Sequence, residues 1–194
     1  STQAKTLFPY TTLFRSILAE ASKEELWILA NGKNRDVKIY LHWSAGHYQQ
    51  IFEEYHLNIC GNGDLIASTD NFAKILAHTY CRNTGAVGIS LCCAYLATPA
   101  DLGLEPPTIQ QITTLTTVIA ILAKVLDLTI DQNRVMTHGE AGDNVDSLLL
   151  HECYGQNTTR ERWDLAILKE NEDWGSGGIY LRKQAQEKFK ILKG

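Results

Sequence analysis

The sequence predicts a single α/β domain with a central mixed β-sheet flanked by helices. Three observations lead there. Ala86 to Tyr95 is a nearly continuous apolar run, the pattern of a central strand buried on both faces. Ile112, Leu115, Ile119, Leu122 and Leu126 recur at threes and fours, the spacing of an amphipathic helix. Short extended runs lie on either side of that helix, and strands alternating with helices favour layered packing around one core.

Taken in order, Ile17 to Leu29 has helical spacing and ends at the turn signal Asn31-Gly32. Val37 to His42 is a short β-type run, and Ser44 to Glu54 reads as a loop leading into a helix or turn. Tyr55 to Cys60 alternates as a strand. Gly61-Asn62-Gly63-Asp64 then supplies a hairpin turn before Leu65 to Ser68. After the buried run at Ala86, Pro106-Pro107 punctuates the chain and Thr108 is placed to cap a helix running to about Asp127. Val135-Met136 is extended. Gly139 to Thr159 is polar and reads as a long surface loop. Trp163 to Leu168 starts a last ordered segment, and a basic helix is expected from Ile179 to Leu192.

At 194 residues the chain suits one domain with a full core. A net charge of −4 argues against a general nucleic-acid binder, whose footprint is a basic patch or stripe. No apolar run approaches the ~20 residues that span a bilayer. Cys60, Cys81, Cys92, Cys93 and Cys153 are odd in number and irregularly spaced, so they make no disulfide framework and no zinc ribbon. Adjacent Cys92 and Cys93 are expected to be buried free thiols. Thr6 to Ser16 resembles the translation of a short-read sequencing adapter, so residues 1–16 are read as non-native and 17–194 as the domain. No secretory signal is visible.

Three stretches carry chemistry: Tyr40-Leu41-His42-Trp43-Ser44-Ala45, Val135-Met136-Thr137-His138-Gly139-Glu140 and Arg162-Trp163-Asp164. Each offers one metal ligand, His42, His138 or Asp164. A catalytic zinc takes three such protein ligands and keeps one position open. Cys153 is the rival third ligand, because thiolates also bind zinc.

Tyr55-His56-Leu57-Asn58-Ile59 followed by Gly61-Asn62-Gly63-Asp64-Leu65 resembles the strand-turn-strand of the type 2 N-acetylmuramoyl-L-alanine amidase and peptidoglycan-recognition-protein family. Ala77-His78-Thr79 and Asn83-Thr84-Gly85-Ala86-Val87-Gly88-Ile89-Ser90 resemble it too, with His42 upstream and Thr137-His138 after the long helix in the family's order. The similarity covers roughly Ile39 to Leu168.

That resemblance implies a Zn2+ enzyme cutting the amide between the lactyl group of N-acetylmuramic acid and L-alanine in peptidoglycan. It implies His42 and His138 as ligands and Asp164 as the favoured third. Cys153 lacks the Pro-Gly that follows the family's ligand cysteine. Many relatives have Lys where Arg162 stands; arginine keeps the charge but shuttles no proton at neutral pH, so Arg162 is expected to stabilise an oxyanion only. Ser90 stands where one branch has a catalytic Glu, which shifts the supporting role to Tyr55. Glu140 is a candidate member of the catalytic group, as an acceptor that orients a ligand, or else a solvated loop carboxylate, and His78 is a candidate groove residue or a polar strand-edge histidine. His47, His56 and His151 have no strong claim, and Trp43 and Tyr48 are read as packing or as platforms for sugar or peptide. The alternative is a non-catalytic peptidoglycan-recognition module. A monomer is expected, acting on the wall as a phage-type lysin (endolysin) or a released bacterial enzyme. The basic stretch Arg182 to Lys193 is either a solvated face or a contact to an anionic wall polymer.

Overall fold

The computed structural model describes residues 12–146 and 163–193. Helix α1 (Thr12–Asn31) leads into strand β1 (Lys38–Trp43), the hairpin β2 (Leu57–Ile59) and β3 (Leu65–Ala67), and strand β4 (Ala86–Leu91). Helix α2 (Ile109–Val125), strand β5 (Val135–Thr137), the short α3 (His138–Gly142) and α4 (Ser176–Lys193) follow. The five strands form one mixed sheet in the order β3-β2-β4-β1-β5. β1 runs parallel to β4 and β5, β2 runs parallel to β4, and only the β2–β3 hairpin is antiparallel. The expected sheet flanked by helices is therefore what the chain forms.

Every residue of β1 and of β4 is buried, as central parallel strands require. One face of the sheet carries Ile39, Leu41 and Trp43 from β1 with Val87, Ile89 and Leu91 from β4, all in the main core. Helix α2 covers that core with Leu115, Val118, Ile119 and Leu122 and packs against both α1 and α4. Thr108 caps α2 through a reciprocal box with Gln111. The Gln111 amide also donates to Ile59 O and Cys92 O at 2.9 Å each, satisfying carbonyls where β2 and β4 end. The opposite face of the sheet carries Tyr40, His42, Asn58, Gly88 and Ser90 and supports the site.

Several boundaries differ from the sequence expectation. The apolar run from Ala86 stops being a strand at Leu91; Ala94 and Leu96 have φ of 67° and 61°, a left-handed backbone that turns the chain away from the sheet. The strand expected from Tyr55 shrinks to Leu57–Ile59. Helix α1 begins at Thr12, so residues 12–16 of the stretch read as non-native are continuous with it. The expected loop from Gly139 opens instead as α3. Trp163 to Leu168 is ordered as turns rather than as a helix or strand. Cys60, Cys92 and Cys93 are buried free thiols, while Cys81 is exposed. Cys153, His151 and Arg162 lie outside the described residues.

Candidate metal centre

Parallel pairing brings the two histidines together. Leu41 of β1 lies opposite Thr137 of β5, so the next residues along each strand, His42 and His138, emerge side by side at the same sheet edge. Within a strand, side chains alternate faces. His42 therefore shares a face with Tyr40, away from the Leu41 and Trp43 core. His138 opens α3, which Thr137 caps through a box with Glu140.

Asp164 arrives from the last turns of the chain. Trp163 packs edge-on against Trp43, with ring centroids 4.7 Å apart, and stacks on Trp174 at 6.0 Å. The Gly139 amide donates to Asp164 O at 3.4 Å. A Cβ on Gly139 would lie 3.4 Å from the Trp163 backbone, ordinary contact distance, so this segment packs directly against the start of α3.

The three candidate ligand atoms converge. His42 Nδ1 and His138 Nδ1 are 3.1 Å apart. Asp164 Oδ2 lies 3.3 Å from His138 Nδ1 and 3.4 Å from His42 Nδ1. All three residues are buried, and among the described residues theirs is the group of His, Cys, Asp and Glu arranged to hold a metal ion. A tetrahedral zinc bound at its usual ~2.0–2.1 Å would put its ligand atoms about 3.3 Å apart. The observed spacings fit that demand. Two imidazole nitrogens and a carboxylate oxygen this close are also mutually repulsive unless a proton or cation is shared among them.

Burial pushes the Asp164 carboxyl up, but the charge and hydrogen bonding of His138 and His42 outweigh it and hold the acid well below the usual carboxylate range. Asp164 is thus held as an anion at neutral pH. Cys93 is the opposite case. Burial, with Asp164 and Glu105 nearby, pushes its thiol well above its ordinary value.

Around this cluster, the Tyr55 ring sits 5.0 Å from the His42 ring, and Ser90 is the register partner of His42 on β4. His78 is buried, its ring 5.3 Å from that of His42. Burial, reinforced by His42, His56 and His138, pushes its pKa well below the ordinary histidine value. His78, the candidate groove residue, thus lies buried beside His42 rather than on an exposed surface.

His56 is fully committed to structure: its Nδ1 accepts from Gly88 N at 3.0 Å and its Nε2 donates to Lys74 O at 2.8 Å. Burial lowers its pKa to about 4. Trp43 is buried under Trp163, and Tyr48 donates its hydroxyl to Pro106 O at 2.6 Å. Trp43 is therefore a packing residue.

Glu140 requires a correction. It is buried and its oxygens are occupied by structural partners, so it is not a solvated loop carboxylate. Arg182 of α4 donates to them at 2.7 and 2.8 Å, Gln132 at 3.0 Å and the Thr137 amide at 2.9 Å. Arg182 is likewise not part of an exposed basic face; it is buried against Glu140 and also donates to Val135 O at 3.0 Å. Sequence reasoning missed this pair, although Thr137-x-x-Glu140 is a capping-box signature. It also missed a second buried ionic group, in which Asp146 accepts from Lys38 at 2.5 Å and from Arg82 at 3.0 and 3.1 Å. That group pins the chain beyond α3 to the start of β1.

No protein-family model matches the chain, and no curated protein does. Among solved structures it is similar to an endolysin N-acetylmuramoyl-L-alanine amidase, LysCS, from Clostridium intestinale. That match has 18% identity and a TM-score of 0.40, covering 65% of this chain and 79% of the other. It is similar to the amidase LysC of the same organism at 18% identity and TM-score 0.40, covering 65% and 80%. The ectodomain complex of peptidoglycan recognition proteins LCa and LCx, bound to tracheal cytotoxin, matches at 16% identity and TM-score 0.39, covering 62% and 76%. No helix among the described residues is long and apolar enough to cross a membrane.

Proposed function

We propose that the chain is a zinc-dependent N-acetylmuramoyl-L-alanine amidase acting on peptidoglycan. The observation that carries this reading is the convergence of His42 Nδ1, His138 Nδ1 and Asp164 Oδ2 within 3.4 Å of one another. The order of motifs from His42 to Asp164 supplies the substrate class by resemblance. A bound zinc would polarise the scissile carbonyl and bring the pKa of water down toward ~7.

The residues around it have distinct duties in this reading. Asp164, held anionic, offsets one of the ion's two charges and leaves the site electrophilic. Tyr55, beside His42, orients the attacking water and relays its proton toward the leaving amine. Arg162, outside the described residues, is proposed to stabilise the oxyanion with a charge that cannot be titrated away. Glu140 and Arg182 position His138 without touching substrate.

Digestion of purified peptidoglycan by zinc-loaded protein, with mass analysis of products, tests the proposal. Free stem peptides beginning with L-alanine are expected, and none from the His138→Ala variant. Binding without cleavage would favour the recognition module. Fragments cut between sugars would contradict both readings.

A further inference from the structure

We propose that Thr79 is a positioning residue which, backed by His78, fixes the tautomer of His42 so that Nδ1 presents its lone pair to the metal. The inference rests on the reading of His42 as a ligand and adds the device that aims it.

The geometry is a chain of three side chains. His42 turns Nδ1 toward His138 and Asp164, while its other nitrogen, Nε2, lies 3.3 Å from Thr79 Oγ1. Thr79 Oγ1 in turn lies 2.8 Å from His78 Nδ1. All three residues are buried, His42 completely. A hydroxyl has a single proton to give. If Thr79 donates to His78 Nδ1, it can only accept from His42, which must then carry its proton on Nε2. That leaves His42 Nδ1 bare, the state a metal ligand needs.

The outer partners are themselves held. The side-chain oxygen of Asn83 accepts from the backbone amides of both His78 and Thr79, at 3.2 and 2.7 Å. The His78 ring lies flush on Gly88, where an added Cβ would come within 2.6 Å of it. Thr79 is thus clamped at its backbone and at its hydroxyl, and its oxygen stands within reach of His42 Nε2.

The test uses zinc affinity, read by competition with a chromophoric chelator, and nitrogen NMR of the histidine rings in the zinc-loaded protein. Thr79→Val removes the hydroxyl at nearly constant shape and is expected to weaken zinc binding by roughly 10- to 100-fold. Thr79→Ser restores the hydroxyl and should recover most of the affinity. In the wild-type rings, His78 should carry its proton on Nε2 and accept at Nδ1, with His42 protonated at Nε2. Wild-type affinity in Thr79→Val, or a His78 protonated at Nδ1, would overturn the proposal while leaving the metal centre standing. A wild-type protein that takes up no zinc would overturn the metal centre and this inference together. The NMR measurement needs no variant, so a Thr79→Val chain that fails to fold still leaves a decisive readout.

Discussion

Arg182 grips Glu140 through two parallel hydrogen bonds of 2.7 and 2.8 Å, joining the turn that begins at His138 to the C-terminal helix. Both side chains are about nine-tenths buried. A planar guanidinium matched to a carboxylate is the strong form of an ion pair. Removing one member leaves the other as an uncompensated buried charge. Arg182→Leu is therefore expected to destabilise the fold by about 3–5 kcal/mol. It should also weaken zinc binding, since α3 carries His138. The double variant with Glu140→Gln should recover part of the loss. Urea unfolding of the three proteins checks this, and a single variant within ~1 kcal/mol of wild type would contradict it.

His56 makes stability depend on pH. Its folded pKa of about 4 lies below the ordinary 6.5, so the unfolded chain takes up the proton first. The stability it contributes is full above the unfolded value and is lost as pH falls from 6.5 toward 4. At ~1.4 kcal/mol per pH unit, the loss approaches ~3 kcal/mol across that window. Urea midpoints of metal-free wild type and His56→Gln, taken at pH 7, 6 and 5, should show a shallower pH dependence in the variant. Parallel curves would refute the assignment.

Gly88 is the space into which His78 fits. An alanine there would put its Cβ 2.6 Å from His78 Cδ2, closer than real contacts allow. Since the strand is central and buried, the backbone has little room to yield. Gly88→Ala should cost about 1–3 kcal/mol by overpacking and should loosen zinc affinity by displacing His78. Thermal unfolding with a zinc competition assay measures both, and an unchanged protein would show that the ring moves aside freely.

Tyr55→Phe separates chemistry from metal binding. The ring that packs by His42 is kept and the hydroxyl is lost. The proposed role predicts a fall in kcat of about 10²- to 10⁴-fold, with zinc content unchanged. Full activity would remove Tyr55 from the mechanism.

The sequence made the two candidate histidine ligands legible because each lies at the end of an extended run, and parallel strands in register deliver such ends to one sheet edge. The apolar run at Ala86 and the helical spacing from Ile112 to Leu126 made the core legible for the same reason, since periodicity records burial directly. Pairings between distant polar residues left no such trace. Arg182 sits in a helix rich in Lys and reads as surface charge until Glu140 is found against it. Thr79 lies in the Ala77-His78-Thr79 motif, but nothing in that motif says that its hydroxyl meets His42. The end of β4 was misplaced because Cys92, Cys93 and Ala94 stay buried after the strand has turned away.

The central claim is that His42, His138 and Asp164 hold one zinc ion. Equilibrium dialysis against buffered zinc, followed by elemental analysis, tests it most directly on wild type and four single-alanine variants. The account predicts one zinc per wild-type chain and per Cys153→Ala chain, and a loss of it in His42→Ala, His138→Ala and Asp164→Ala. A wild type that retains no zinc, or an Asp164→Ala chain that keeps it with wild-type affinity, would contradict the account.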